Sequence, residues 1–567
     1  MNRNYPIYNT TFIDDMRSLV EEAAQNFPDS TAISYKRNYW DKEVKKVTFL
    51  QWREDVRGLG TYLISKSYRE TNIAILGENS YGWCCSFFAV MAIGSVTVPV
   101  DKELPIEDID GIITTTGTKV LIYGKSSEAK VKEMLRNGGL KTVEMIISVA
   151  SSNSIEASGL GDRTLRTLED VQTEGAGLYA AGDNSYYDYK IDVNKLASIV
   201  FTSGTTGKGK GVMLSQNAIL SDMYDVIPYI DFTDKTLGVL PPHHTYGSSV
   251  SIYGQNSIGC DIYISSGVKY ILKELQEHKP GHLVAVPLYV EPFYRRIIAG
   301  INAKGEKKAK LVFTLMKVSN FLRKIGIDVR RKLFKEVIAG VGGSLEYIVC
   351  GGAYLDPKYE KGMTDLGIDI LCAYGTTECS PGVTINTQYE HRSGSCGKPM
   401  LCCQVKINNP DEDGVGEIFV RGDNVMMGYF EDEEATASVF DGDWFMTGDY
   451  GYMDKDGFLY FVGRKKNLIV LSNGKNVAPE ELEDQLMKIE YVKEVLVYGE
   501  NDVINAEFFL DETLCENAKE QIKKDVDEFN RTLPLYKRIR VVKTRDTEFP
   551  KTTTLKIKRE YKDEVKA

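Results

Sequence analysis

Residues 196–215 read LASIVFTSGTTGKGKGVMLS, and any fold for this chain has to accommodate them. Leu196 to Phe201 have the length and β-branched content of a buried strand. The run empties into Thr202, Ser203, Gly204, Thr205, Thr206, Gly207, Lys208, Gly209, Lys210 and Gly211, four glycines and four hydroxyls in ten residues. Glycine lets a backbone come close to a phosphate, hydroxyls donate to its oxygens, and lysine adds a point charge. The loop therefore reads as a polyphosphate cradle. Beyond it Val212-Met213-Leu214 looks extended, and a helix starts only at Ser215, a good N-cap.

Two families own loops of this kind. Gly204-x4-Gly209-Lys210 nearly spells a Walker A loop, but Gly211 stands where a Mg²⁺-binding Ser or Thr is needed, and a Walker lysine opens a helix. No apolar strand ends in an obvious Walker B aspartate. Thr202-Ser203-Gly204-Thr205-Thr206-Gly207-x-x-Lys210-Gly211 resembles instead the phosphate-loop signature of the adenylate-forming superfamily, with Gly209 in place of the usual proline. That superfamily holds acyl-CoA synthetases, luciferases and peptide-synthetase adenylation domains.

At 567 residues the chain is too long for one core. A net charge of −11 argues against a nucleic-acid partner held by overall attraction. The ten cysteines show no C-x-x-C spacing, which suits a reducing compartment rather than a zinc site or disulfide frame. The N-terminal stretch lacks a signal-peptide core, and the longest apolar run, near Phe87 to Val100, is shorter than the ~20 residues of a membrane span. These features imply a cytoplasmic protein, with membrane contact at most peripheral.

Taken in order, residues 13–67 read as two helices around a polar connection, with Thr48 and Gln51 at capping spacing. Ile73–Leu76, Val96–Val100 and Lys119–Tyr123 read as strands separated by helices, one of them capped by Asn79 or Ser80. Alternation of this kind implies βαβ units and a parallel sheet. Residues 150–190, rich in Ser, Gly and Asp, read as irregular surface. Residues 291–340 hold thirteen Lys/Arg against four Asp/Glu, a local +9 in a chain of −11. Within them Leu311, Leu315, Val318, Leu322 and Ile325 mark one face of a helix. Such a helix either packs by that apolar face with its lysines solvated, or touches an anionic membrane.

Further motifs fall at strand ends. His243-His244-Thr245-Tyr246-Gly247 reads as a site lining, structural histidines being the plain alternative. Gly351-Gly352-Ala353 would let a flat ring lie on the backbone. Tyr374-Gly375-Thr376-Thr377-Glu378 offers an aromatic, two hydroxyls and a carboxylate at the edge where open α/β sheets bind ligands. Asp449, in Thr447-Gly448-Asp449, can accept sugar hydroxyls, and Arg464 can reach the same sugar. Past Arg464 the chain has 21 basic and 21 acidic residues in 104, about 40% charged against 26% overall, which places a domain boundary there.

The resemblance to the adenylate-forming superfamily covers about residues 70–559, and the length of 291–340 is most similar to the long-chain fatty-acyl-CoA synthetase branch. It implies an α/β fold: a large N-terminal domain over 1–463, with two αβ-layered sheets and a distorted β-barrel, and a small mobile α+β domain over 464–567. It implies activation of a carboxylic acid, a medium- or long-chain fatty acid, to acyl-AMP and pyrophosphate, then transfer to CoA. A carrier-protein ligase and an aryl-CoA ligase are the alternatives. ATP, Mg²⁺ and CoA are the implied cofactor set, with Thr202 and Glu378 facing the metal. The cradle, Gly351 to Ala353 and Tyr374 to Thr377 would bind nucleotide, and Asp449 with Arg464 its ribose. His244, Tyr246 and Gly247 would border the acyl channel. Lys466 falls at the hinge, and Ser472, Gly474 and Lys475 fall in the loop that meets CoA. The terminal pattern Pro550-Lys551-Thr552-x-x-Leu555-Lys556-Ile557-x-Arg559, with Leu555 where glycine is usual, aligns the catalytic lysine with Lys556. Lys551 and Lys558 are the alternatives. An idle adenylate-fold regulator would lack the intact set of Lys210, Glu378, Asp449, Arg464 and Lys556.

Overall fold

The computed structural model describes residues 13–150, 155, 159–202, 209–471, 476–500, 503–551 and 557–559. The chain forms two compact units. One holds the described parts of Met1–Thr202, Gly209–Gln404 and Arg421–Ser438, the other those of Val405–Val420 and Val439–Ala567.

The first unit is built on two sheets. In the eight-stranded sheet the order runs Gly428–Tyr429, Lys210–Ser215, Leu196–Thr202, Val96–Val100, Asn72–Leu76, Val120–Tyr123, Met145–Ser148, Thr164–Thr167. From Leu196–Thr202 to Thr164–Thr167 every pairing is parallel, and only Lys210–Ser215 and Gly428–Tyr429 run against their neighbours. Both faces of a parallel sheet are covered, so its strands are apolar throughout. Ala74, Leu76, Val98, Val100, Leu121, Ile146 and Ile199 accordingly share one core cluster. The helix Tyr81–Ala92 is apolar all round and buried from Gly82 on, as expected of a helix with no solvent face. Ser80, not Asn79, is its cap, accepting from the Trp83 N–H.

The nine-stranded sheet runs Lys398–Pro399, Gly382–Ile385, Asp369–Gly375, Tyr347–Cys350, His282–Ala285, Lys235–Gly238, Asp261–Ile264, Thr31–Tyr35, Lys45–Thr48. Its seven inner members include six in parallel register, so the strand ends after 238, 285, 350 and 375 share one edge.

Three expectations are corrected. The polar connection within 13–67 contains the hairpin Thr31–Tyr35 and Lys45–Thr48, which forms an edge of the second sheet. Its short strands carry too few apolar residues to show a two-residue period. Residues 150–190 are not irregular surface: they contain the strand Thr164–Thr167 and the helix Leu168–Ala180. That helix packs on Phe49–Ser65 where Gly58 meets Gly175, and a Cβ on Gly175 would lie 1.8 Å from the Gly58 carbonyl oxygen. Glycines that let two helices touch also hide the helical period in sequence. The third correction concerns residues 291–340. Helices Pro287–Ala303 and Glu306–Lys324 form there, but the second packs through Ala309, Met316 and Ser319. Of the two arrangements open for its apolar face the packed one fails, since Leu311, Val318 and Ile325 face solvent.

In the second unit Cys403–Asn408, Gly416–Gly422, Trp444–Met453, Phe440–Asp441 and Leu459–Arg464 make a five-stranded antiparallel sheet, the barrel-like element in an open, curled form. Val492–Glu500, Val503–Leu510 and Ile539–Arg545 form a three-stranded sheet with helices Pro479–Leu486 and Ala518–Thr532. Leu482, Leu486, Val497, Ile504, Phe508, Ile522, Val526 and Ile539 close its core. Pro479 sits in the first helical turn, where a missing N–H costs nothing.

Candidate active site

The strand Leu196–Thr202 returns as Lys210–Ser215, with Thr202 opposite Lys210. Ser203, Gly204, Thr205, Thr206 and Gly207 lie outside the described residues. Their two ends are held together, for the Thr202 hydroxyl donates to the Lys210 carbonyl at 3.4 Å. Lys210 begins a strand, and the following helix is capped by the Ser215 hydroxyl accepting from the Ala218 N–H. A Walker A lysine opens a helix, so that reading of the loop fails.

The Lys210 ammonium lies 4.7 Å from the centre of the Tyr429 ring. Tyr429 donates its phenol hydrogen to Glu378 Oε1 at 3.0 Å. On the other oxygen, Oε2, Glu378 accepts from the Thr376 hydroxyl. The Glu378 N–H donates to that hydroxyl at 3.2 Å, and the Glu378 carbonyl accepts from Met426 N at 2.8 Å. Burial and the adjacent Glu378 carboxylate push the Tyr429 phenol well above its ordinary range, so it stays a donor. The structure thus joins Thr202, Lys210, Thr376 and Glu378 to Tyr429, which none of the sequence motifs singles out. Its only signal was an aromatic closing the run GDNVMMGY.

Gly375 is required by space, since a Cβ there would lie 1.9 Å from the Pro381 carbonyl oxygen. The Gly382 N–H that follows is held by Asp222 Oδ1 at 2.7 Å, a second residue the motifs did not flag. Tyr374 is buried, and Thr377 opens the short turn that carries Glu378. Gly351 is buried, while Gly352, at φ +79°, and Ala353 are exposed at the end of Tyr347–Cys350.

Tyr246 meets this edge. Its hydroxyl reaches the carbonyls of Val349 (3.1 Å) and Ala285 (3.3 Å), and its ring would touch a Cβ on Gly351 at 3.3 Å. Burial keeps the phenol protonated. A Cβ on Gly247 would lie 2.1 Å from the Pro241 carbonyl oxygen, so glycine is needed there too. Residues Tyr246–Tyr253 form a π-helix, a geometry concentrated at functional sites. The rings of His243 and His244 lie 4.3 Å apart. His243 is 3.7 Å from Asp101, and burial holds its imidazole neutral. His244 is the more C-terminal of the pair, and its carbonyl accepts from Ser248. Asn79 donates to the Gly238 carbonyl at 3.0 Å, tying a strand end of this sheet to the loop before Tyr81–Ala92.

The second unit carries the remaining candidates. Asp449 and Arg464 are register partners, with Arg464 Nε 3.2 Å from Asp449 Oδ1. The aspartate is 3% exposed and the arginine 52%. Thr447 donates to the Ile418 carbonyl and accepts from the Asp449 N–H, which fixes the turn. Lys466 is exposed, beside Lys465, whose ammonium pairs with Glu417 at 2.6 Å. Ser472, Gly474, Lys475 and Lys556 lie outside the described residues. The chain on either side of Lys556 is held: Lys551 pairs with Ile557 in an antiparallel bridge, and Lys558 N donates to Pro550 O at 2.8 Å. Lys551 pairs with Glu494, which also accepts from Phe549 N at 2.7 Å. Arg559 pairs with Glu483 and donates to the Val497 carbonyl at 3.1 Å. Burial drives the Glu483 carboxyl up to about 7, against the opposing pull of Arg559.

Among the described residues there is no group of three or more His, Cys, Asp or Glu side chains able to hold a metal. Mg²⁺ needs no such cage, because it keeps several waters and takes one or two carboxylates with substrate phosphates. Glu378, whose two oxygens face Tyr429 and Thr376 beside Lys210, is a carboxylate of that kind.

Comparison with known proteins gives the family. The family described as AMP-binding enzyme matches residues 20–430, and that described as AMP-binding enzyme C-terminal domain matches 466–565. The long-chain-fatty-acid–CoA ligase FadD15 of Mycobacterium bovis is 27% identical over 530 residues, covering 90% of this chain and 84% of that one. The chloroplastic long-chain-fatty-acid–[acyl-carrier-protein] ligase AEE15 of Arabidopsis thaliana is 27% identical over 525 residues, covering 80% and 69%. Among solved structures, the anthranilate CoA ligase AuaEII in complex with anthranoyl-AMP superposes with TM-score 0.76 at 19% identity, over 98% of each chain. The chain belongs to the AMP-binding, adenylate-forming enzyme family.

Proposed function

We propose that this adenylate-forming acid–thiol ligase activates a medium- or long-chain fatty acid and passes the acyl group to CoA. The cluster Lys210–Tyr429–Glu378–Thr376 carries the activation step in this reading. It sets a cation and an acidic oxygen pair beside the ends of the glycine-rich loop. A carboxylate is a poor electrophile, and attack on the α-phosphorus of ATP converts its oxygen into part of a leaving AMP. That chemistry asks for alignment and for neutralisation of like charges more than for acid or base.

The roles then divide as follows. Lys210 and the loop hydroxyls bind the β- and γ-phosphates, Thr376 and Thr377 bind the α-phosphate, and Tyr374 with Gly351 to Ala353 flank adenine. Glu378 and Thr202 would hold Mg²⁺, which supplies charge neutralisation on the departing pyrophosphate. Asp449 accepts the ribose hydroxyls while Arg464 steadies its carboxylate. Tyr246, Gly247 and His244 border the acyl chain. Lys556 spans the attacking carboxylate and the α-phosphate. A small C-terminal domain beginning at 464 then turns about Lys466, withdrawing Lys556 and presenting Ser472, Gly474 and Lys475 to CoA.

The acid class rests on similarity to long-chain ligases such as FadD15 over most of the chain. Two narrower alternatives have support of their own. AEE15 loads a carrier protein, and AuaEII is an anthranilate CoA ligase, so a carrier-protein acceptor and an aryl acid are the competing readings. A panel from acetate to oleate, with aryl acids included, scored by pyrophosphate release, decides the acid. Turnover of aryl acids alone overturns the fatty-acid reading. AMP release with CoA against a holo carrier protein decides the acceptor.

A further inference from the structure

The helix Glu306–Lys324 buries Ala309, Met316 and Ser319, yet its largest apolar side chains point elsewhere. Leu311 is 58% exposed, Val318 47%, Phe321 65% and Ile325, at its C-cap, 61%. At 100° per residue these four lie within one stripe on the solvent side, spanning about 21 Å along the axis. Ile327 and Leu333, just beyond, are exposed as well. Exposed apolar residues scattered singly need no account, but a contiguous row of this size marks an interaction surface.

Charge identifies what the surface fits. Lys310, Lys317 and Lys324 fall along one margin of the stripe, Lys308 along the other and Lys307 in line with it at its N-terminal end, all of them exposed. The surrounding segment 291–340 carries +9 in a chain of −11. A second copy of the same face would bring like charge against like. The stripe asks for hydrocarbon, and the lysines beside it ask for a sheet of negative charge. We propose that Glu306–Lys324 lies in the headgroup region of an anionic lipid bilayer, with Leu311, Val318, Phe321 and Ile325 in the acyl boundary and the lysines among the headgroups. A helix with one apolar and one basic margin is built for that plane. No described helix is long and apolar enough to cross a membrane, so the contact lies on the surface. The inference stands whichever acid the chain activates.

The test is co-sedimentation of the full chain with vesicles of phosphatidylcholine, with and without phosphatidylglycerol. Two variants accompany it: Leu311→Ser/Phe321→Ser/Ile325→Ser, and Lys307→Glu/Lys310→Glu/Lys317→Glu. All six side chains are exposed, so both variants keep the fold. Wild type should bind the anionic vesicles at least about tenfold better than neutral ones, and each variant should lose roughly tenfold or more. Pyrophosphate release with a short, water-soluble acid should be unchanged in both. Equal binding by wild type and either variant overturns the proposal, as does failure of wild type to bind anionic vesicles. Retention on immobilised polyglutamate that survives the serine substitutions, without vesicle binding, would assign the face to an acidic protein instead. A dimer in sedimentation velocity that the serine variant dissociates would assign it to a second copy.

Discussion

The two units hold their candidate residues by different means. Around Glu378 the supports are neutral: a phenol, a threonine hydroxyl and backbone groups at 2.8–3.2 Å. Around the segment carrying Lys556 ion pairs are added to the backbone bridge: Glu494 with Lys551, and Glu483 with Arg559. Uncharged donors in a packed strand end hold their carboxylate with little dependence on salt. Ion pairs at a part-exposed segment depend on salt and pH. A cradle fixed within one unit and a segment held by charge within the other are what is expected where one set of residues must stay in place and another must move.

The largest test of that contrast is Lys556→Ala. Loss of a charge contact to a developing transition state costs ~3–4 kcal/mol, about 10²–10³ in rate. Pyrophosphate release should fall by that factor, while CoA consumption from supplied acyl-adenylate persists. Equal loss of both half-reactions would place Lys556 outside the mobile role. On the fixed side, Glu378→Gln should lower pyrophosphate release by about 10², because the amide cannot supply the charge. Tyr429→Phe removes one hydrogen bond to a charged carboxylate, worth ~1.5 kcal/mol at the low end for such bonds, so about a tenfold loss is expected. Comparable losses in the two variants would show that the phenol does more than orient the carboxylate.

How much of this was legible in the sequence follows from the kind of signal each part leaves. The strand Leu196–Thr202, the Ser215 cap and the Tyr374–Glu378 loop were readable because their chemistry is contiguous. Tyr429 was not, because it reaches Glu378 across 51 positions of chain and only the pairing of Gly428–Tyr429 with Lys210–Ser215 brings it there. Asp222 is equally silent until its carboxylate is seen to hold Gly382. The helix Leu168–Ala180 was missed because its packing face uses glycine, and the apolar face within 291–340 stayed undecided because periodicity reports which residues share a side, never whether that side is covered.

The finest test lies at Glu483. Its side chain is 14% exposed and its carboxyl is raised from an ordinary 4.5 to about 7, chiefly by burial. Arg559 and the Val497 N–H oppose the shift, and nearby Glu480 adds to it. A carboxyl raised on folding binds a proton that the unfolded chain has already lost. Its contribution to stability is therefore fully present below about 4.5 and disappears as pH climbs through about 7. The Arg559 ion pair runs the other way, since it needs the carboxylate and strengthens across the same window. Wild-type Tm should thus fall from pH 5 to 8 relative to Glu483→Gln, while the pyrophosphate-release rate of wild type rises a few-fold over the variant's across that range. An unchanged rate difference at all pH values would mean that the segment carrying Lys556 is held by its backbone bridge at Lys551–Ile557 rather than by charge.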